Sequence, residues 1–244
     1  MMQNVWLKEF CKMNELRIIP IHGIPEIRVD DNLAEITYDV LKKSHTGIEK
    51  NDIFVVTQKI VSKSEGMERD LFNFNFEELL QSESKKIIRK RGDLIIAKTK
   101  HGFICANAGI DKSNVKKNIA LLLPEDPNKS ANRFRKRFES LASLPIAVII
   151  SDTFGRAWRK GQVNFAIGSS GINPIESYIG KFDSFDNELN ATEIAVIDEL
   201  ASAAELVMKK TINIPIAIIR GVNYENSKLN ASELIRNDNE DFFI

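Results

Sequence analysis

The segment IAVIISDTFGRAWRKGQVNFAIGSSG, residues 146–171, constrains this chain more than any other. It opens as an apolar strand over 146–151 and closes in a glycine–serine loop, with a second strand predicted near 162–167. Between them stand Ser151, Asp152 and Thr153, followed by Arg156, Arg159 and Lys160 around two glycines. A carboxylate and a hydroxyl at the end of a buried strand are hard oxygen donors of the kind that suit Mg²⁺ or Mn²⁺. The three cations suit phosphate. The bland alternative is a turn in which Asp152 caps its own backbone.

A second strand end offers a partner. In CANAGIDKSN, residues 105–114, an Ala-Gly pair permits close backbone approach and Asp111 follows directly, with Asn107 and Asn114 nearby. Two strand ends that each leave through small residues make a shared metal site; an Asx-turn at each place is the alternative. Lys63, in VSKSEG, can reach a phosphate as a point charge or stand as a surface lysine.

The remaining pattern is mixed. Strands are predicted over 16–21, 52–57, 94–99, 102–109 and 215–219, and helices over 32–43, 58–63, 131–142 and 192–208. Asp30 or Asp31 is the expected cap of the first helix. Residues 67–92 are polar and helix-prone, ending in the basic run KKIIRKR, and LLLPEDPNKS reads as a proline-punctuated loop. Strands and helices alternate without a regular βαβ count, so the fold class is an irregular α+β. No linker divides the 244 residues, which read as one unit, 1–244. In 192–208, Ile194, Ile197, Ala201, Ala204 and Met208 make one stripe, suited to a core or a subunit interface; Asp198 and Glu205 read as helix-edge charges.

Several functions are excluded. There is no Walker loop and no G-x-G-x-x-G; Gly168-Ser169-Ser170-Gly171 is one residue short of a nucleophile elbow. His22, His45 and His101 lack zinc spacing. Lys plus Arg and Asp plus Glu balance at 34 each, so no whole-protein field favours nucleic acid or a membrane. The basic runs at 85–91 and 133–138 read as solvated helix faces, with Phe134 and Phe138 turned inward. No apolar run approaches the roughly 20 residues of a membrane span. Two cysteines, Cys11 and Cys105, fit a reducing cytoplasm rather than a disulfide framework.

IPIHGIPEI, VVTQKIVSKSEG, NAGIDKSN, SDTFGRAWRKGQVNFAIGSSG, DELASAAELVM and IPIAIIRG occur in this order. Together they resemble the coenzyme F-420:L-glutamate ligase, or gamma-glutamyl ligase, family, from about residue 17 to 225. The resemblance implies a two-lobed fold distinct from Walker and Rossmann folds, assembled as a homodimer with its active site near the dimer contact. The Ala-lined stripe of 192–208 is a candidate for that contact. The implied activity is a gamma-linked amide ligation of L-glutamate to a deazaflavin precursor, using GTP, Mg²⁺ or Mn²⁺ (two per site) and K⁺. By motif, Asp111 and Asp152 correspond to metal ligands and Thr153 to a ligand of a second metal. Ile24, Pro25, Glu26, Ile27, Gln58, Lys59, Lys63 and Asn114 correspond to nucleotide contacts. MKKTINIP, after the last helix, is shorter than the family pattern and lacks its glycine. A C-terminal nitroreductase-like domain, fused in some relatives, is not expected. Two other readings use the same residues: a metal-dependent phosphotransferase, and a nucleotide- or deazaflavin-binding protein without turnover.

Overall fold

The computed structural model describes residues 15–113 and 117–241. The short apolar runs become the centre of a five-stranded sheet in the order β1 (Arg17–Pro20), β12 (Ile216–Arg220), β2 (Ile53–Thr57), β8 (Ala147–Arg156), β9 (Arg159–Ser170). β2 and β8 run parallel, and every other neighbouring pair is antiparallel. Runs such as IFVV and AVII are apolar at every position because both faces of this sheet are covered.

One face packs Phe54, Val56, Val148, Ile150 and Ile218 against α1 (Leu33–Lys43) and α4 (Pro127–Ala142), which contribute Leu41, Phe134 and Phe138. The other packs Ile53, Val55, Ala147, Ile149 and Ile219 against α5 (Val196–Met208). Ala201 and Ala204 are fully buried there. The small-residue stripe therefore lies against the chain's own sheet, where alanines admit a close helix, and does not form an exposed subunit contact. Phe134 and Phe138 turn inward from the basic helix, as the spacing predicts.

A smaller assembly carries β4 (Ser84–Arg91), β5 (Leu94–Thr99) and β6 (Ile104–Ala106) as one antiparallel sheet, with β3 (Glu68–Asp70) and β7 (Ile119–Leu121) paired nearby. α2 (Gln58–Ser64) follows β2 directly, and α3 (Phe76–Glu83) precedes β4. The architecture is mixed α and β, in agreement with the α+β expectation.

Several local expectations are corrected. The cap of α1 is Asn32, whose side chain accepts from the Glu35 N–H; Asp31 instead accepts from the Arg28 N–H. The basic run after α3 is an edge strand rather than a helix face. Its lysines and arginines stay exposed while its backbone pairs with β5, a common protection for a strand edge. The stretch read as a loop contains part of β7 and the start of α4, capped by Asp126 with Pro127 in its first turn. α5 begins at Val196, because β11 (Glu193–Ile194) pairs with β10 (Glu176–Ser177) just before it.

Candidate active site

Parallel neighbours β2 and β8 point their C-terminal ends the same way, with Thr57 opposite Ser151. Gln58 and Lys59 leave one end and Asp152 lies just past the pairing at the other. The carboxyl end of parallel strands is a usual place for a ligand crevice. Asp111 reaches the same spot from the smaller assembly through an unusual turn. Asn107, Ala108 and Gly109 all have positive φ, at 50°, 54° and 75°. The Ile110 N–H closes the turn on the Asn107 carbonyl at 3.0 Å. Left-handed backbone is costly at Ala108, though not at an asparagine or a glycine, and such strain collects at functional sites. Gly109 has a further constraint: a Cβ there would lie 2.7 Å from Leu123 Cδ1.

Asp111 is held firmly once delivered. Lys59 Nζ lies 2.6 Å from its Oδ2, and the Ser113 N–H donates to its Oδ1 at 2.6 Å. Burial works against the Asp111 carboxylate, but these donors outweigh it and hold its pKa below the ordinary value. Asp152 behaves oppositely. Burial pushes its carboxyl up to about 6; its hydrogen bond with the Thr153 backbone opposes this, the Asp111 charge adds to it, and Lys59 and Lys210 pull back. The same neighbourhood holds the buried Cys105 thiol, pushed up to about 12 by burial and by Asp152.

Adjacent residues of a strand point to opposite faces. Thr153 accordingly turns away from Asp111. Its hydroxyl donates to Asn164 Oδ1 at 2.7 Å and accepts from Lys210, which also donates to Asn164 Oδ1 at 3.3 Å. Lys210 and Asn164 were not singled out by sequence. Lys210 sits in the divergent MKKTINIP loop, and Asn164 is visible only once the hairpin register sets it opposite Thr153. The cations whose charge reaches Asp152 are Lys59 and Lys210. Arg159 and Lys160 stand exposed at the hairpin tip, where Arg156 donates to the Lys160 carbonyl at 2.9 Å.

The other expected contacts spread along α2 and the loop after β1. Lys63 Nζ pairs with Glu26 Oε1 at 2.5 Å, tying that loop to the helix. Ile24 is half-buried, Pro25 and Glu26 are exposed, and Ile27 is in the core. Gln58 is buried, donating to Ser62 Oγ and the Leu122 carbonyl, and its Oε1 has no hydrogen-bond partner among the described residues. Asn114 lies outside the described residues.

No cluster of three or more His, Cys, Asp or Glu side chains suited to a metal occurs among the described residues. The donor set at Asp111 and Asp152 is two carboxylates, which fits Mg²⁺ or Mn²⁺ completed by water and phosphate oxygens. Like charges facing each other, with an ammonium drawn against one of them, mark a place where added positive charge is favourable.

Comparison with known proteins shows the family to which the chain belongs. The family described as F420-0:Gamma-glutamyl ligase matches residues 23–78 and 73–221. The chain is 40% identical over 214 residues to the Coenzyme F420:L-glutamate ligase of Methanocaldococcus jannaschii, covering 80% of this chain and 86% of that protein. It is 37% identical over 224 residues to the Methanothermobacter thermautotrophicus enzyme of the same name, covering 84% and 89%. With the one from Archaeoglobus fulgidus the identity is 35% over 244 residues, covering 93% and 95%. The protein is an enzyme of the amide-forming ligase class. Within that class, the chain belongs to the F420-0:gamma-glutamyl ligase family.

Proposed function

We propose that this enzyme adds L-glutamate, through gamma-linked amide bonds, to the deazaflavin precursor of coenzyme F420. GTP is the co-substrate and is released as GDP and phosphate. The observation that supports the reading is that the charge of Asp111 bears on Asp152, which lies just past the paired ends of two parallel strands, in a chain whose relatives bear this activity by name. The working unit combines two closely joined lobes and acts as a cytoplasmic homodimer.

A carboxylate does not react with an amine at neutral pH without activation. In the proposed sequence the precursor's terminal carboxylate oxygen attacks the γ-phosphorus of GTP, the bond to the β-phosphate oxygen breaks, and GDP leaves. The glutamate amine then attacks the acyl carbon of the acyl phosphate. The C–N bond forms, the C–O bond to phosphate breaks, phosphate departs with the electron pair, and the amine loses a proton. Asp111 and Asp152 would hold Mg²⁺ or Mn²⁺, with Thr153 toward a second ion. When bound, these ions and K⁺ supply charge neutralisation for the phosphates.

The protein's own groups do the positioning. Lys59 and Lys63, four apart on α2, present two ammonium groups along one helix face toward phosphate. The loop at Ile24, Pro25, Glu26 and Ile27, fastened by the Glu26–Lys63 pair, lies beside them with Gln58 beneath. Asn114 completes the nucleotide contacts. Membership of a ligase family sets aside a binding protein without turnover. The phosphotransferase alternative differs in product. Incubation with precursor, GTP, Mg²⁺ and glutamate, followed by mass measurement, separates them. Added glutamyl residues support the ligase; a phosphorylated product that persists with glutamate present contradicts it.

A further inference from the structure

A cavity of about 420 Å³ lies on the edge of the β8–β9 hairpin, closed by the β5–β6 turn and the 231–236 segment. Its volume falls within the range of small-molecule sites. Three aromatic rings form one wall. Phe154 and Phe165 stack at 5.9 Å between centroids with a 24° interplanar angle, and Phe103 adjoins Phe154 at 6.1 Å. Ile104, Leu234 and Ile235 add aliphatic surface, and Lys98, Asp198 and Arg236 stand at the margin. The wall is continuous with the site already described, since Phe165 pairs directly across the hairpin with Asp152 and Phe154 follows two residues later on the same face.

A larger cavity, of about 1090 Å³, runs between α1, α2 and α4, but its cations are engaged. Lys129 pairs with Asp126 at 3.1 Å, Arg133 with Glu65 at 2.9 Å and Arg137 with Glu35. It offers no comparable aromatic wall.

We infer that the cavity beside Phe103, Phe154 and Phe165 receives a planar, polar-edged aromatic ring system, the ring portion of the acceptor, with its acidic end directed along the hairpin to Asp152. This rests on the ligase reading above. Stacked and tilted phenylalanines favour a flat π-system over an aliphatic chain. Asp198 supplies the polar edge. Its Oδ1 accepts from the Ala166 N–H at 2.8 Å, and the carboxyl borders the cavity. A ring-edge N–H, which donates to a carboxylate oxygen, is the complementary partner for such a group. The consequence is a division of labour. The rings select the acceptor, while Asp111, Asp152 and the α2 lysines handle phosphate and acid.

The test uses the full-length protein and the deazaflavin riboside, which lacks the phosphate-bearing tail and is followed by its own fluorescence. Ile104→Trp fills the cavity from the β6 side, where Ile104 is partly exposed. Leu234→Trp fills it from the opposite side. Thermal unfolding checks that both variants fold. The expected result is riboside binding by the wild type, weakened at least tenfold in the folded tryptophan variants, with KM for the whole precursor raised and KM for GTP unchanged. Wild-type riboside affinity or precursor KM in the filled variants overturns the pocket. So does the failure of the riboside to bind a wild type that turns over the whole precursor. A wild type that forms no glutamyl product from the whole precursor overturns the ligase reading instead, and the two failures are thereby told apart.

Discussion

Lys59 and Asp111 meet at 2.6 Å although one opens a helix after β2 and the other follows a left-handed turn after β6. The pair joins the five-stranded sheet to the smaller assembly at the point where Asp152 also arrives. Lys59 compensates two carboxylates at once. Lys59→Met should therefore raise the Asp152 carboxyl further above about 6 and lift Asp111 from its depressed value. Carboxyl NMR titration of the metal-free protein reads both. Unchanged titration would show that Lys59 is not the compensating charge.

Asp198 gives a pH dependence with a definite sign. Burial pushes its carboxyl up to about 6 from a model-compound value of 3.8, against the opposing Ala166 N–H. The folded state therefore favours the protonated form. That contribution is complete below pH about 3.8 and is lost as pH rises through about 6. Asp198→Asn keeps an acceptor for Ala166 and removes the ionisation. Its melting temperature should exceed the wild type's at pH 7.5 and approach it at pH 4.5. A pH-independent difference would contradict the burial account.

The turn before Asp111 is testable through backbone strain. Gly109→Ala places a methyl group 2.7 Å from Leu123 Cδ1 at a φ of +75°. It should cost about 1–3 kcal/mol in urea unfolding. Ala108→Gly, at φ 54°, relieves left-handed strain but frees the unfolded chain, so its gain should not exceed about 1 kcal/mol. Equal and opposite large effects would contradict this reading.

Arg220 tests the sheet beneath the site. It is buried, donating to both Asp52 oxygens at 2.8 Å and to Glu49, and so clamps the end of β12 to the approach to β2. Arg220→Met should destabilise by about 3–5 kcal/mol, because Asp52 is left buried and unpaired. Arg220→Lys should recover little, since an ammonium cannot span both oxygens. Full recovery by lysine would reduce the interaction to simple charge pairing.

The apolar strands and the inward phenylalanines of the basic helix were legible in the sequence because burial on both sheet faces leaves an uninterrupted apolar run. Asp111, Asp152 and Lys63 stand out in the sequence beside small or hydroxyl neighbours, and the structure sets Asp111 against Lys59 and Lys63 against Glu26. What escaped depends on tertiary register. KKIIRKR has the composition of a helix face and becomes a strand only because β5 pairs with it. Asp198 has the spacing of a helix-edge charge, yet the edge of β9 turns it into a half-buried acceptor. Lys210 follows a helix end without a recognisable motif, and its meeting with Thr153 and Asn164 is set by the packing of α5 on the hairpin. Of the successive left-handed residues before Asp111, Asn107 and Gly109 are types that accept this backbone readily, whereas Ala108 leaves no trace in the sequence.

The central claim is that Asp111 and Asp152 act as one metal-holding unit in glutamate ligation. It is tested most directly by Mg²⁺ titration of glutamate-dependent phosphate release in Asp111→Asn, Asp152→Asn and the double variant. Residues acting as a unit are strongly non-additive. Each single variant should lose Mg²⁺ dependence and activity together, and the double variant should fall little below either. Single losses that multiply in the double variant, or either single variant with wild-type Mg²⁺ dependence, would contradict the account.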